Sequence, residues 1–209
     1  MHTKPALVII DMQYIHVDPD KSVSGEGEPE ENKAYVRERM YGIQLPALAK
    51  LLDTWRKAGG LVIYIVFNHV TPDGSDLEPG IYASFKKKSD DPGTWPIRTA
   101  ADPLSAIMKE VAPLPTEIVL QKTTFSAFKS TNLDFVLKNH GIDSLVLVGG
   151  LTGCCVMNTA IDAKELGYKI YTVPDADIDR SPEKHEQALE APGYDAILTL
   201  DAVLDIQAY

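Results

Sequence analysis

Cysteine is almost missing from this chain of 209 residues: there are two, and they are neighbours, Cys154 and Cys155. A framework of spread disulfide staples is therefore excluded, and a bridge between adjacent cysteines is disfavoured because it strains the intervening peptide. The expectation is a reduced thiol site in an intracellular protein. Excess positive charge is missing as well. The 20 Lys and Arg stand against 30 Asp and Glu, a formal net charge of -10, which argues against a nucleic-acid surface or an anionic membrane as partner. The run Lys86, Lys87, Lys88 is a local basic spot that reads as a solvated loop or helix end. Long hydrophobic runs are absent too, with none of bilayer length. Met1-His2-Thr3-Lys4-Pro5 leads into a short apolar run ending at Asp11, without an extended hydrophobic core or a small-residue cleavage pattern. The expected location is cytoplasmic.

What is present is an alternation of short apolar runs with longer amphipathic segments. The length suits a single domain, residues 1–209, able to bury its own core. Candidate strands are Ala6 to Ile10, Leu61 to Phe67, Glu117 to Gln121, Ser144 to Val148, Lys169 to Val173 and Ala196 to Leu200. Their hydrophobicity is continuous rather than alternating, as in a parallel sheet covered on both faces. Helical spacing marks Gln44 to Ala58, which carries Leu45, Leu48, Leu51, Leu52 and Trp55 and ends at Gly59-Gly60. Asp102 to Val111, Asn132 to Asn139 and Cys155 to Leu166 behave similarly, the last stopped by Gly167. The pattern predicts a three-layer α/β/α sandwich, Rossmann-like, around a mostly parallel six-stranded sheet. Two stretches, Val17 to Glu31 and Asn68 to Pro96, read as long loops, candidates for lids or binding segments.

Three residues fall at strand carboxyl ends, where such folds bind ligands. Asp11 ends the first strand, Lys122 the third, and Cys155 follows the fourth after Gly149, Gly150, Leu151, Thr152 and Gly153. Taken singly, the Asp reads equally as a cap, the Lys as solvated and the Cys as core. Together they supply an acid/base, a cation and a nucleophile. A helix start after the strand predicts a lowered thiol pKa at Cys155, aided by the Lys122 ammonium. No G-x-G-x-x-G or G-x-x-x-x-G-K-[ST] pattern follows the strand, which counts against a phosphate loop.

The segments Leu7 to Gln13, Gln121 to Phe128 and Gly149 to Val156, followed by Thr159, Asp162-Ala163 and Gly167-Tyr168, resemble the isochorismatase-like cysteine hydrolase family. Asp175-Ala176 and Pro182 to His185 are similar to that family's closing segment. The resemblance implies a catalytic triad of Asp11, Lys122 and Cys155, with Cys155 rather than Cys154 in the nucleophile position. It also implies a cis peptide between Gly150 and Leu151, so that the Leu151 and Cys155 N–H groups form an oxyanion hole worth about 3 kcal/mol per donor. The implied reaction is cleavage of a C–N bond in a small amide, ureido or carbamoyl compound through a thioester, with release of ammonia or an amine. Family members often form dimers or tetramers, so a homo-oligomer is expected, with the apolar Ala202 to Tyr209 as a candidate interface segment.

Candidate pocket walls are Gln13, Tyr14, His69, Tyr82, Trp95, Phe125 and Phe128, with Arg98 or one of Lys86 to Lys88 as a partner for a substrate carboxylate. Nicotinamidase-type relatives add a metal bound at an Asp-x-His motif after the second strand. Here that place reads Val66-Phe67-Asn68-His69-Val70, and neither it nor His2, His16, His140 or His185 has ligand spacing. No metal and no cofactor are expected. Three rival readings remain: a vinyl ether hydrolase of the isochorismatase type, a non-catalytic binder of a small molecule, and a redox protein using Cys154 and Cys155.

Overall fold

The computed structural model describes residues 5–22 and 27–208, the last three of them by backbone alone. Residues 1–4 with His2, the middle of the Val17 to Glu31 loop, and Tyr209 at the end of the C-terminal segment lie outside the described residues. In chain order, β1 is Ala6–Ile10, α1 Tyr14–Val17, α2 Glu30–Arg39, α3 Leu45–Lys57, β2 Val62–Phe67, α4 Pro79–Lys88 and β3 Ile118–Lys122. Then follow α5 Ala127–Ser130, α6 Leu133–Asn139, β4 Ser144–Gly150, α7 Met157–Glu165, β5 Lys169–Thr172, β6 Asp177–Ile178, α8 Pro182–Leu189, β7 Ala196–Ile197 and α9 Leu200–Ala208.

The strands form one sheet in the order β3-β2-β1-β4-β5-β7, with β6 paired to the end of β4. All pairings between these strands are parallel. Successive side chains of a strand point to opposite faces, and β1 supplies both cores. Val8 and Ile10 pack with Ile63, Ile81, Leu133, Val156 and Ala160 on one side. Leu7 and Ile9 pack with Leu48, Leu51, Trp55, Tyr64 and Val203 on the other. This is the expected three-layer arrangement, with β6 added to the six expected strands.

Local signals explain where several helices begin and end. Pro79 opens α4 while the Glu78 carboxylate accepts from the Ile81 N–H at 3.0 Å. Pro182 opens α8 and the Ser181 hydroxyl accepts from Lys184 N–H. Gly167, at φ +91°, supplies the left-handed turn that stops α7.

Two expectations on elements are corrected. Asp102 to Val111 is not a helix but two short 3-10 turns, Pro103–Ser105 and Lys109–Val111. Between them the Met108 N–H donates to the Met12 carbonyl and Ile107 bridges Gln13 antiparallel, so tertiary pairing takes the backbone groups a helix would use. Nor is Asn68 to Pro96 a plain loop, since α4 lies inside it and ends in Lys86, Lys87 and Lys88. Among the described residues no helix is long and apolar enough to cross a membrane.

Candidate active site

Chain order and spatial order reverse between β1 and β4: β2 and β3 step outward on one side of β1, and β4 returns on the other. A crevice opens beyond the carboxyl ends of strands at such a point. Ile10 stands opposite both Gly149 and Ile65, and Phe67 opposite Lys122, so Asp11, Phe67, Lys122 and Gly150 share one rim. The close approach of β1 and β4 there requires glycine. A Cβ on Gly149, at φ +130°, would lie 2.1 Å from the Ile10 carbonyl oxygen. Asp11 itself has φ +52°, which costs a residue with a Cβ about 1 kcal/mol or more. That backbone turn points the carboxylate across the rim instead of along the strand.

The three candidate residues come together. Lys122 Nζ lies 2.8 Å from Asp11 Oδ2 and donates to Cys155 Sγ at 3.2 Å. To reach them from β3 the lysine crosses the end of β2, with its ammonium 3.5 Å from the centre of the Phe67 ring. Lys122 is 0% exposed, Asp11 2% and Cys155 6%, so this charge cluster is shielded from bulk water. Asp11 Oδ1 is buried without a hydrogen-bond partner, leaving one carboxylate oxygen free to accept.

Burial lowers the Lys122 pKa, but Asp11 and Cys155 outweigh it and the net shift is upward. The Cys155 thiol is pushed well above its ordinary value by its contact with Cys154, by burial and by the Asp11 charge, against the pull of Lys122. Cys154 moves down, chiefly because the Cys155 thiol hydrogen-bonds to it. The expectation of a lowered Cys155 pKa is therefore corrected. Cys155 sits inside a π-helical turn, Thr152–Val156, rather than in the first turn of an exposed α-helix, and a buried thiol beside a carboxylate stays protonated at neutral pH.

The peptide between Gly150 and Leu151 is cis. Leu151 and Cys155 both border a cavity of about 690 Å³ that also touches Asp11, His16, Phe67, Trp95, Phe125 and Arg180. The turn that carries them is held from behind. His185 Nδ1 lies 3.0 Å from Thr152 Oγ1, Arg39 Nη2 lies 2.8 Å from His185 Nε2, and the Gly153 N–H donates to Asp179 Oδ2 at 2.7 Å.

Of the expected pocket walls, Trp95 and Phe125 border the cavity, and five others do something else. Gln13 is 0% exposed and spends its amide internally. Its Nε2 donates to Asn68 Oδ1 and Ser105 O, and its Oε1 accepts from the Phe67 N–H. Tyr14 carries Lys21 over its ring at 4.0 Å and accepts from the Lys109 N–H. Phe128 packs on Tyr168 at 5.8 Å, and Tyr82 and His69 pack edge-on against Trp95 at 5.8 and 6.2 Å. They shape the cavity through Trp95 without facing it.

Arg98 is bound to Asp102 at 2.9 Å and to the Trp95 carbonyl, so it is no free cation for a substrate. Lys88 does border the cavity, together with Arg180, which the sequence reading passed over, and His16, which it weighed only as a metal ligand. Arg180 follows β6 at the same rim as Asp11, a placement hidden because a two-residue strand leaves no hydrophobic run to recognise. At the place of the metal motif, Asn68 is committed to Gln13, and His69 Nδ1 donates to the Thr71 carbonyl at 2.7 Å. Those residues do not fit a metal, and no group of three His, Cys, Asp or Glu among the described residues does so.

A doubly wound parallel sheet with a buried thiol, ammonium and carboxylate at its switch point defines an α/β protein with a thiol-centred pocket. A family model of the isochorismatase domain matches residues 5–200, and the chain belongs to the isochorismatase family of hydrolases. It is 30% identical over 186 residues to a maleamate amidohydrolase from Pseudomonas putida, covering 89% of this chain and 78% of that one. An isochorismatase family protein from Desulfovibrio vulgaris superposes with a TM-score of 0.77 at 30% identity, covering 99% of each chain. An N-carbamoylsarcosine amidase from Thermoplasma acidophilum superposes with a TM-score of 0.69 at 28% identity, covering 95% of this chain and 98% of that one.

Proposed function

We propose that this protein is a cysteine-dependent amidohydrolase that cleaves the C–N bond of a small amide, ureido or carbamoyl compound. The observation that carries the reading is Lys122 bonded at once to Asp11 (2.8 Å) and Cys155 (3.2 Å), at the end of a cavity large enough for a small substrate. Because the Cys155 thiol is held protonated, attack and deprotonation are coupled. Sulfur bonds to the substrate carbonyl carbon as the thiol proton passes to Asp11, whose Oδ1 is free to take it. Negative charge moves to the carbonyl oxygen, which the Leu151 and Cys155 N–H groups receive. Collapse of this adduct breaks the C–N bond, and Asp11 returns the proton to the leaving nitrogen. Water, deprotonated by the same Asp11, then opens the thioester and regenerates the thiol. Lys122 keeps its proton throughout and stabilises negative charge, first on Asp11 and then on sulfur.

Two relatives named for acting on maleamate and on N-carbamoylsarcosine, both small carboxylic acids, support an anionic substrate. Arg180 and Lys88 are the cavity cations suited to hold its carboxylate. The test is ammonia release from a panel of small amides, ureides and carbamoyl acids by wild type, Cys155→Ala and Cys154→Ala. The expected outcome is turnover that survives in Cys154→Ala and is lost in Cys155→Ala. Cleavage of isochorismate without turnover of any C–N substrate replaces this reading with vinyl ether hydrolysis.

A further inference from the structure

His16 stands on α1 and borders two cavities at once. One is the catalytic cavity, shared with Asp11, Phe67 and Cys155. The other is a neighbouring space of about 180 Å³, lined in part by Val17, Val36, Ile178 and Arg180. Its ring faces that of Phe67, with centroids 6.1 Å apart at 36°, and the other side of the cluster holds the Lys122 ammonium on the same Phe67. The imidazole is thus wedged between α1 and the end of β2, and its orientation is set by packing.

Its hydrogen is also assigned. His16 Nε2 lies 3.3 Å from the Phe67 carbonyl oxygen, and a carbonyl only accepts, so Nε2 carries the hydrogen. A neutral imidazole with its hydrogen on Nε2 has a lone pair on Nδ1. Burial keeps the ring neutral by lowering its pKa, with Lys122 and Arg180 acting in the same direction and Asp11 in the other. Among the described residues none bonds Nδ1, since the ring's one hydrogen bond is made by Nε2. The site therefore contains a fixed, uncharged acceptor beside the carboxylate and the thiol, and the hydrolytic steps above leave it without a task.

We propose that His16 is a specificity-determining residue whose Nδ1 accepts a hydrogen bond from an N–H of the substrate. The proposal rests on the amidohydrolase reading and names what such a site selects: amides, ureides and carbamoyl compounds that carry an N–H, over esters of the same shape that do not. An acceptor fixed on the cavity wall discriminates when the substrate covers it, because a substrate lacking the donor displaces its water and leaves it unpaired.

The experiment compares kcat/KM for the best N–H substrate of the panel with that for an activated ester, p-nitrophenyl acetate, in wild type, His16→Phe and His16→Asn. Phenylalanine fills the space of the ring without an acceptor, and asparagine keeps an acceptor near the position of Nδ1. The expected result is an N–H to ester ratio about tenfold lower in His16→Phe, with part of it recovered in His16→Asn. A ratio unchanged in His16→Phe, whether both activities fall together or neither falls, overturns the proposal and makes His16 a packing residue. If the wild type hydrolyses the ester and no N–H substrate, the amidohydrolase reading fails first and takes this proposal with it. That outcome is recognised from the wild type alone, before any variant is compared.

Discussion

Lys122 carries more of the energetics of this centre than its place at the end of β3 suggests. It is 0% exposed, and its ammonium is satisfied by one carboxylate, one sulfur and one aromatic face. Removing one member of such a buried pair leaves the other uncompensated, which costs about 3–5 kcal/mol. Lys122→Met keeps the length of the side chain and discards the charge. It is expected to lower unfolding stability in urea at pH 7 by about 3 kcal/mol and to abolish turnover. Unchanged stability would mean that the Asp11 to Lys122 contact contributes little net energy. At this scale the sequence was informative about the centre and poor about its walls. Asp11 and Lys122 each close a recognisable apolar run and Cys155 follows another across a glycine-rich turn, and the family resemblance joined the three into one centre. The walls were misplaced because an aromatic or amide side chain near the rim looks the same in sequence whether it faces the cavity, like Phe125, or braces a loop, like Gln13. The thiol pKa was misjudged for a related reason: helix position was visible in the sequence, and burial beside a carboxylate was not.

Among the elements, the turn carrying Leu151 to Cys155 depends on two helices remote from it in sequence. A guanidinium only donates, so the Arg39 bond fixes His185 Nε2 as acceptor and leaves Nδ1–H to donate to Thr152 Oγ1. One hydrogen-bond line thus runs from the end of α2 through α8 to the nucleophile turn. His185→Ala leaves the buried Thr152 hydroxyl and the Arg39 guanidinium short of a partner, at a cost of about 1–3 kcal/mol. Its expected kinetic effect is a fall in kcat larger than the change in KM, because the turn places the attacking group and the N–H donors rather than the cavity walls. An equal shift of both constants, or a stability loss without a kinetic one, would reduce this line to ordinary packing. The helix α2 that anchors it gave no hydrophobic signal, since none of its residues is buried. By contrast α3, which buries Leu45, Leu48, Leu51, Leu52 and Trp55, was legible almost to its ends. Periodicity reports burial, so elements held by polar contacts or by two ladder pairs, such as α2 and β6, escape it.

At the scale of the whole molecule, two buried titrating groups flank the switch point and act in opposite directions on folding. Asp177 is 0% exposed; its Oδ1 accepts from the Gly149 N–H at 2.9 Å, and its Oδ2 lies 2.5 Å from Thr172 Oγ1. Thr172 has a single hydroxyl hydrogen, and the Leu147 carbonyl, 2.9 Å away, can only accept it. The proton between Asp177 and Thr172 therefore belongs to Asp177, in agreement with burial pushing its pKa from 3.8 to about 8. Folding takes up a proton on Asp177 between those values, so stability falls as pH rises through that window to about 8. His185 is the reverse case, lowered from 6.5 to about 4 by burial and by Arg39. The unfolded chain binds its proton first, so this group removes stability as pH drops from 6.5 toward 4. His16 is shifted in the same direction, chiefly by burial, and adds to the acid side. Two histidines oppose one aspartate below pH 6.5, and Asp177 acts without them above it. The unfolding free energy, and with it the melting temperature, is therefore expected to be highest near pH 6.5 and to decline toward pH 8, the free energy at a limiting slope of about 1.4 kcal/mol per pH unit. Asp177→Asn keeps an acceptor for Gly149 and a donor for Thr172 but cannot ionise. It is expected to level the profile between pH 6.5 and 8 while leaving the acid side as it was. Thermal melts of both proteins from pH 5 to 9 decide the matter: an alkaline decline that persists in Asp177→Asn would assign it to another group and leave the buried carboxyl without a role in the pH response.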